Sequence, residues 1–168
     1  RDPEMSRGLG DVYKRQAFYN LLSKERIEMD YPAKDWEDAI RCAGKLLYDT
    51  NTVTEQYVEE MVSSVKKHGP YIVVCKGMAL PHADCSKGAI KEAASLVRLK
   101  TPIEFGSVYN DPVRYVIGMS IKSAESINQA IYDMMKIFGD ENNMNKFDSL
   151  PDEQAVLDMI NSFQKQKI

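Results

Sequence analysis

Long apolar runs are missing from this chain. None approaches the ~20 residues that span a bilayer, and no signal-peptide pattern is visible. Cysteine is sparse and odd in number: Cys42, Cys75 and Cys85. That set excludes a disulfide framework and fits a reducing, cytoplasmic compartment. Positive charge is not in excess, since 22 Lys+Arg against 25 Asp+Glu leave a formal net charge of −3. A mildly acidic domain lacks the basic face that nucleic-acid binding needs, so no nucleic-acid partner is expected. There is no Gly-rich strand-to-helix loop ending in Lys-Ser/Thr, which excludes a nucleotide phosphate loop. Histidine occurs only at His68 and His82.

These shortages also weaken two chemistries that use what remains. His82-x-x-Cys85 has the spacing of a ligand pair, with Cys75 or His68 as a third donor. A structural zinc site wants paired motifs giving four ligands, so no metal is expected. A Cys–His hydrolase needs an oriented base and an oxyanion hole, and nothing marks the latter. Cys42 and Cys75 lie in apolar patterns and read as core residues.

What is present is enough apolar material, 43% of 168 residues, for one domain with an adequate core. Residues 1–16 differ from the rest. They carry four Lys/Arg, three Asp/Glu, Pro3, Gly8 and Gly10, with no apolar period. They read as an appended scar such as a translated sequencing adapter, with a natural disordered tail as the alternative. The remainder, 17–168, is then a single domain.

Helical spacing predicts a short helix over Ala17–Arg26, then a short strand at Ile27–Met29. Asp35 opens a clearer helix, with Trp36, Ala39, Ile40, Ala43, Leu46 and Leu47 on one face. A second helix carries Val58, Met61, Val62 and Val65, and stops at Lys66-Lys67-His68-Gly69-Pro70. Strands are expected at Tyr71–Cys75, Met78–Leu80, Ala94–Leu99 (interrupted by Thr101-Pro102) and Val113–Ile121. A helix from about Ser126 to Phe138 follows. A last helix bearing Val156, Leu157, Ile160 and Phe163 is expected to be capped near Ser149-Leu150-Pro151-Asp152. Helices flanking a block of strands argue for a three-layer α/β domain around a mixed sheet.

The stretch Gly77-Met78-Ala79-Leu80-Pro81-His82-Ala83 is the most informative. Pro81 holds its own φ near −65° directly before the histidine, and Gly77 and Ala83 add little bulk. Such a setting presents an imidazole at an edge. A neutral imidazole, with an unperturbed pKa of about 6.5, is a nucleophile at cell pH. A loop histidine that only hydrogen-bonds is the plain alternative.

This stretch, with Ala94-Ser95-Leu96-Val97-Arg98-Leu99, Pro102-Ile103-Glu104-Phe105 and Asn110-Asp111-Pro112-Val113, resembles the mannitol/fructose-type EIIA domain of the bacterial sugar phosphotransferase system. The likeness runs from Ala17 to Phe163, and His68-Gly69-Pro70-Tyr71-Ile72-Val73 looks most like the ascorbate-specific branch. The resemblance implies an α/β/α sandwich and a phosphotransferase that works through a phosphohistidine. It places the acceptor on His82, charged by phospho-HPr and discharged onto a cysteine of EIIB, which serves the membrane component EIIC. It implies no small-molecule cofactor.

Phosphoryl transfer of this kind is mostly alignment and stabilisation of spread charge. Backbone N–H groups of Ala83 to Cys85 are candidate donors, and Lys76 and Lys87 candidate charges. Many members carry a second histidine after the long strand, where this chain reads Ala124-Glu125-Ser126-Ile127-Asn128. Ser126 or Asn128 can donate a hydrogen bond in its place, and Ile127 cannot. His68 is either an assistant to His82 or simply a cation closing a helix. Two other functions fit the same residues. One is a regulatory EIIA-like domain whose phosphorylation state signals to a partner. The other is a degenerate domain that has lost transfer.

Overall fold

A computed structural model describes residues 18–165, so the reading of residues 1–16 as a scar lies outside the described part. The chain enters through one helical turn, α1 (Phe18–Leu21), and passes directly into β1 (Leu22–Tyr31). The helix expected over Ala17–Arg26 is therefore mostly strand. Local helix propensity is weak, and parallel pairing with a central strand overrides it. Arg26 locks the junction, its guanidinium donating to Leu21 O at 2.9 Å and Ala94 O at 3.0 Å.

Two helices follow with the caps their sequences announce. In α2 (Trp36–Asp49) the Asp35 side chain accepts from Asp38 N at 2.8 Å. In α3 (Glu55–His68) Thr54 accepts from Tyr57 N, and Gly69, at φ +84°, ends the helix by donating to Val65 O at 2.8 Å. The strands are β2 (Val73–Cys75), β3 (Met78–Ala79), β4 (Ala93–Ile103) and β5 (Val113–Ser120). Thr101-Pro102 does not interrupt β4. Pro102 lies past the last β1 partner, where the β4–β5 register shifts, so no ladder bond depends on its missing N–H.

The sheet order is β1-β4-β5-β3-β2. β1 runs parallel to β4, and β3 to β5, while the β4–β5 and β2–β3 pairs are antiparallel. Along β4, Ala94 and Leu96 face one core while Ala93, Val97 and Leu99 face the other. The second core holds α2 and α3. The first holds α1, α4 (Ala124–Phe138), α5 (Glu141–Asp148) and α6 (Glu153–Lys165). The domain is a three-layer α/β/α sandwich around a mixed sheet. Gly118 lets α2 approach β5: a Cβ there would lie 2.7 Å from Ser95 Oγ, which itself donates to Ala43 O at 2.8 Å.

One helix, α5, has no counterpart in the periodicity reading, since only Phe147 of its eight residues is buried. Arg98 holds it from below, donating through Nη1 to Phe147 O at 2.9 Å and Leu150 O at 2.8 Å. The cap expected near Ser149 is correspondingly displaced. Asp152 caps α6 by accepting from Ala155 N at 2.9 Å, and Ser149 instead closes α5.

Candidate functional site

β3 ends at Ala79 opposite Val116, and the chain runs on beside β5 to Pro81 before His82 leaves the sheet. Four bonds pin this exit. Leu80 N donates to Ile72 O at 2.8 Å, and Met119 N to Pro81 O at 3.0 Å. Ala83 N donates to the Tyr57 hydroxyl at 3.1 Å, and that hydroxyl donates to Met119 O at 2.6 Å. Beyond, Asp84 accepts from Ser86 N and Oγ and starts a 3-10 turn at Cys85–Lys87. Gly88 then packs onto α3, with Thr54 N donating to Gly88 O at 2.9 Å. A Cβ at Gly88 would fall 1.9 Å from Thr54 Oγ1, so glycine is required there.

The His82 ring is half-buried, with Nδ1 2.9 Å from Leu80 O. A carbonyl only accepts, so Nδ1 carries the hydrogen and Nε2 keeps its lone pair. Burial pushes the imidazole below its ordinary range, and the Leu80 bond opposes this in part. At neutral pH the ring is neutral, and the Leu80 carbonyl sets its orientation, with Nε2 on the side away from that bond.

Ser126 and Asn128 lie near the start of α4, which follows β5 at the same edge of the sheet as His82. Ser126 is buried, its hydroxyl accepting from Ser123 Oγ at 3.0 Å, while Asn128 is exposed. His68 is exposed at the end of α3. No hydrogen bond joins any of the three to His82 among the described residues. Two of the expected phosphate donors are corrected. Ala83 N–H is committed to Tyr57, and Lys76 occupies the β2–β3 turn, at the opposite end of β3 from His82. Lys87 is exposed on the 3-10 turn. Among the described residues no three His, Cys, Asp or Glu side chains are grouped to hold a metal ion. No helix there is long and apolar enough to cross a membrane.

The family model of the phosphoenolpyruvate-dependent sugar phosphotransferase system, EIIA 2, matches residues 20–163. The chain belongs to this family. It is 33% identical over 142 residues to an ascorbate-specific PTS system EIIA component of Shigella boydii serotype 4 (strain Sb227), covering 84% of this chain and 92% of that protein. The solution structure of the mannitol-specific cryptic phosphotransferase enzyme IIA CmtB from Escherichia coli superposes with a TM-score of 0.74 at 28% identity, covering 86% of this chain and 98% of that one. The IIA of the Escherichia coli complex of enzyme IIAMTL and phosphorylated enzyme IIBMTL shares the fold, with a TM-score of 0.73 at 23% identity over 84% and 99% of the two chains.

Two residues of this EIIA domain escaped the sequence reading. Tyr57 is absent from the α3 stripe read from the sequence (Val58, Met61, Val62 and Val65), yet it is buried and its hydroxyl ties the histidine loop to β5. Tyr71 was assigned to a strand. It precedes β2 instead, and its ring meets His82 edge-on at 5.8 Å and 84°. The available signal was its position in the short linker between His68 and the edge strand.

Proposed function

We propose that this domain is the EIIA phosphocarrier of an ascorbate-type sugar uptake system, with His82 as the phosphoryl acceptor. The observation that carries the reading is the Nδ1–Leu80 O bond, which leaves Nε2 as the free nucleophilic nitrogen. The Nε2 lone pair attacks the phosphorus of phospho-HPr, and the donor's N–P bond breaks, returning its electron pair to the HPr imidazole. In the second step an EIIB cysteine thiolate attacks the same phosphorus. The Nε2–P bond then breaks and His82 is neutral again. Each step needs in-line alignment and donors for the phosphoryl oxygens.

Support for the EIIB partner comes from the mannitol-type IIA seen in complex with phosphorylated IIB. Support for the sugar class comes from the names of the curated relatives. Ser126 and Asn128 from α4 and His68 from α3 are the proposed supports of the phosphate site. The membrane component EIIC is reached only through EIIB, and the domain works in the cytoplasm. The test is mass spectrometry after incubation with enzyme I, HPr and phosphoenolpyruvate. One acid-labile phosphate on His82 is expected, absent from His82→Ala. Label retained by that variant refutes the assignment.

A further inference from the structure

Tyr71 stands between the two histidines of the chain. Its ring meets His82 at 5.8 Å with an interplanar angle of 84°, and meets His68 at 6.2 Å and 82°. Its hydroxyl shares a 2.6 Å hydrogen bond with Ser64 Oγ on α3. So a large ring, nearly half exposed at 46%, is held at its tip by a hydroxyl on α3 and braced by His68 from the same helix. The backbone supplies the next constraint. Ile72 O accepts from Leu80 N, which ties the Tyr71 segment to the strand that delivers His82.

The His82 ring has two ways to lose its alignment. It can leave Leu80 O by turning about the Cβ–Cγ bond, or it can swing as a whole about Cα–Cβ. The Nδ1 bond opposes both motions, but it is a single restraint worth only about 1 kcal/mol. The loop residues that follow, Asp84, Cys85, Ser86 and Lys87, are exposed, and the Asp84 carboxylate is taken by Ser86. Tyr71 adds a second restraint on the ring from outside the loop.

We propose that Tyr71, fixed by Ser64 and backed by His68, is the positioning residue that sets the plane of the His82 ring for phosphoryl acceptance. The proposal rests on His82 being the acceptor, and it changes the part played by His68. That residue acts on Tyr71, not on the phosphoryl group directly. An edge-to-face contact is favourable only over a narrow range of orientations, so it restricts the ring without occupying either nitrogen. Nε2 stays available to the incoming phosphorus.

The test compares Tyr71→Phe, Tyr71→Leu and Ser64→Ala in the full chain. The rate of His82 phosphorylation by phospho-HPr is one readout. The imidazole 15N spectrum of the unphosphorylated protein is the second, since it reports the tautomer and its exchange. Tyr71→Phe and Ser64→Ala keep the ring but lose the bond that fixes its tip, and both are expected about two- to threefold slower than wild type, whereas Tyr71→Leu is expected about tenfold slower through misalignment. The Leu variant should also show a mixed-tautomer His82 signal, while Phe keeps the Nδ1–H form. Equal rates for Leu and wild type, or equally slow Phe and Leu variants, overturn the proposal. If the wild-type domain takes no phosphate on His82, the functional reading fails instead, and the 15N spectra still decide whether Tyr71 orders the ring.

Discussion

Replacing Tyr57 by phenylalanine removes a single oxygen from the interior and leaves the aromatic packing intact. Tyr57 is fully buried, and burial pushes its phenol up to about 12, so it is neutral at any working pH. Its one hydrogen goes to Met119 O at 2.6 Å, and its oxygen accepts from Ala83 N at 3.1 Å. Two bonds are lost at once, and two backbone groups lose a partner. At about 1 kcal/mol net for each bond, the variant should be destabilised by about 2 kcal/mol. For a domain of this size that corresponds to a Tm lowered by about 4–8 °C. The same oxygen tethers Ala83, the residue after His82, to β5. The loop should therefore loosen before the domain unfolds, with faster amide exchange at Ala83 and slower phosphorylation of His82. Calorimetry and hydrogen exchange measure both effects. A Tm within about 1 °C of wild type would show that the hydroxyl bridge is not what holds the loop.

Three further outcomes follow from the same geometry. The His82 imidazole should titrate, by NMR, with a midpoint below the ordinary value of about 6.5, because burial disfavours its cation. The unfolded chain then binds the proton more readily, so this ring's contribution to stability falls as pH drops from about 6.5 through the folded midpoint. A midpoint at or above that ordinary value would contradict the burial argument. Arg98→Met should cost about 3 kcal/mol in urea denaturation, because the carbonyls of Phe147 and Leu150 lose a buried charged donor. The partner carboxylate, Asp30, is half exposed, so its ion pair adds little to that figure. A loss below about 1 kcal/mol would mean that α5 is held by Phe147 packing alone. Gly118→Ala forces a Cβ to 2.7 Å from Ser95 Oγ and 3.2 Å from the Ala43 Cβ. It should destabilise by about 2 kcal/mol through overpacking of α2 on the sheet, and a neutral urea midpoint would sink that prediction.

Elements whose signals are local were legible in the order of residues alone. The stripe and cap of α2, the stop at His68-Gly69-Pro70 and the strand-end setting of His82 were all readable, because helix periodicity, capping and proline restriction act within a few residues. What pairing imposes came from the assembled layers. Segment Leu22–Arg26 became a strand because β4 offers it backbone partners some seventy positions away in the chain. The helix α5 exists on one buried phenylalanine and a clamp from Arg98, with too little amphipathic pattern to see in advance. At the proposed site, the order of residues singles out the imidazole but not its neighbours. Tyr57 and Tyr71 reach His82 or its loop only once α3 packs against the sheet and β2 pairs with β3. Side-chain contacts between distant segments are set by how the layers close, and no local spacing records that.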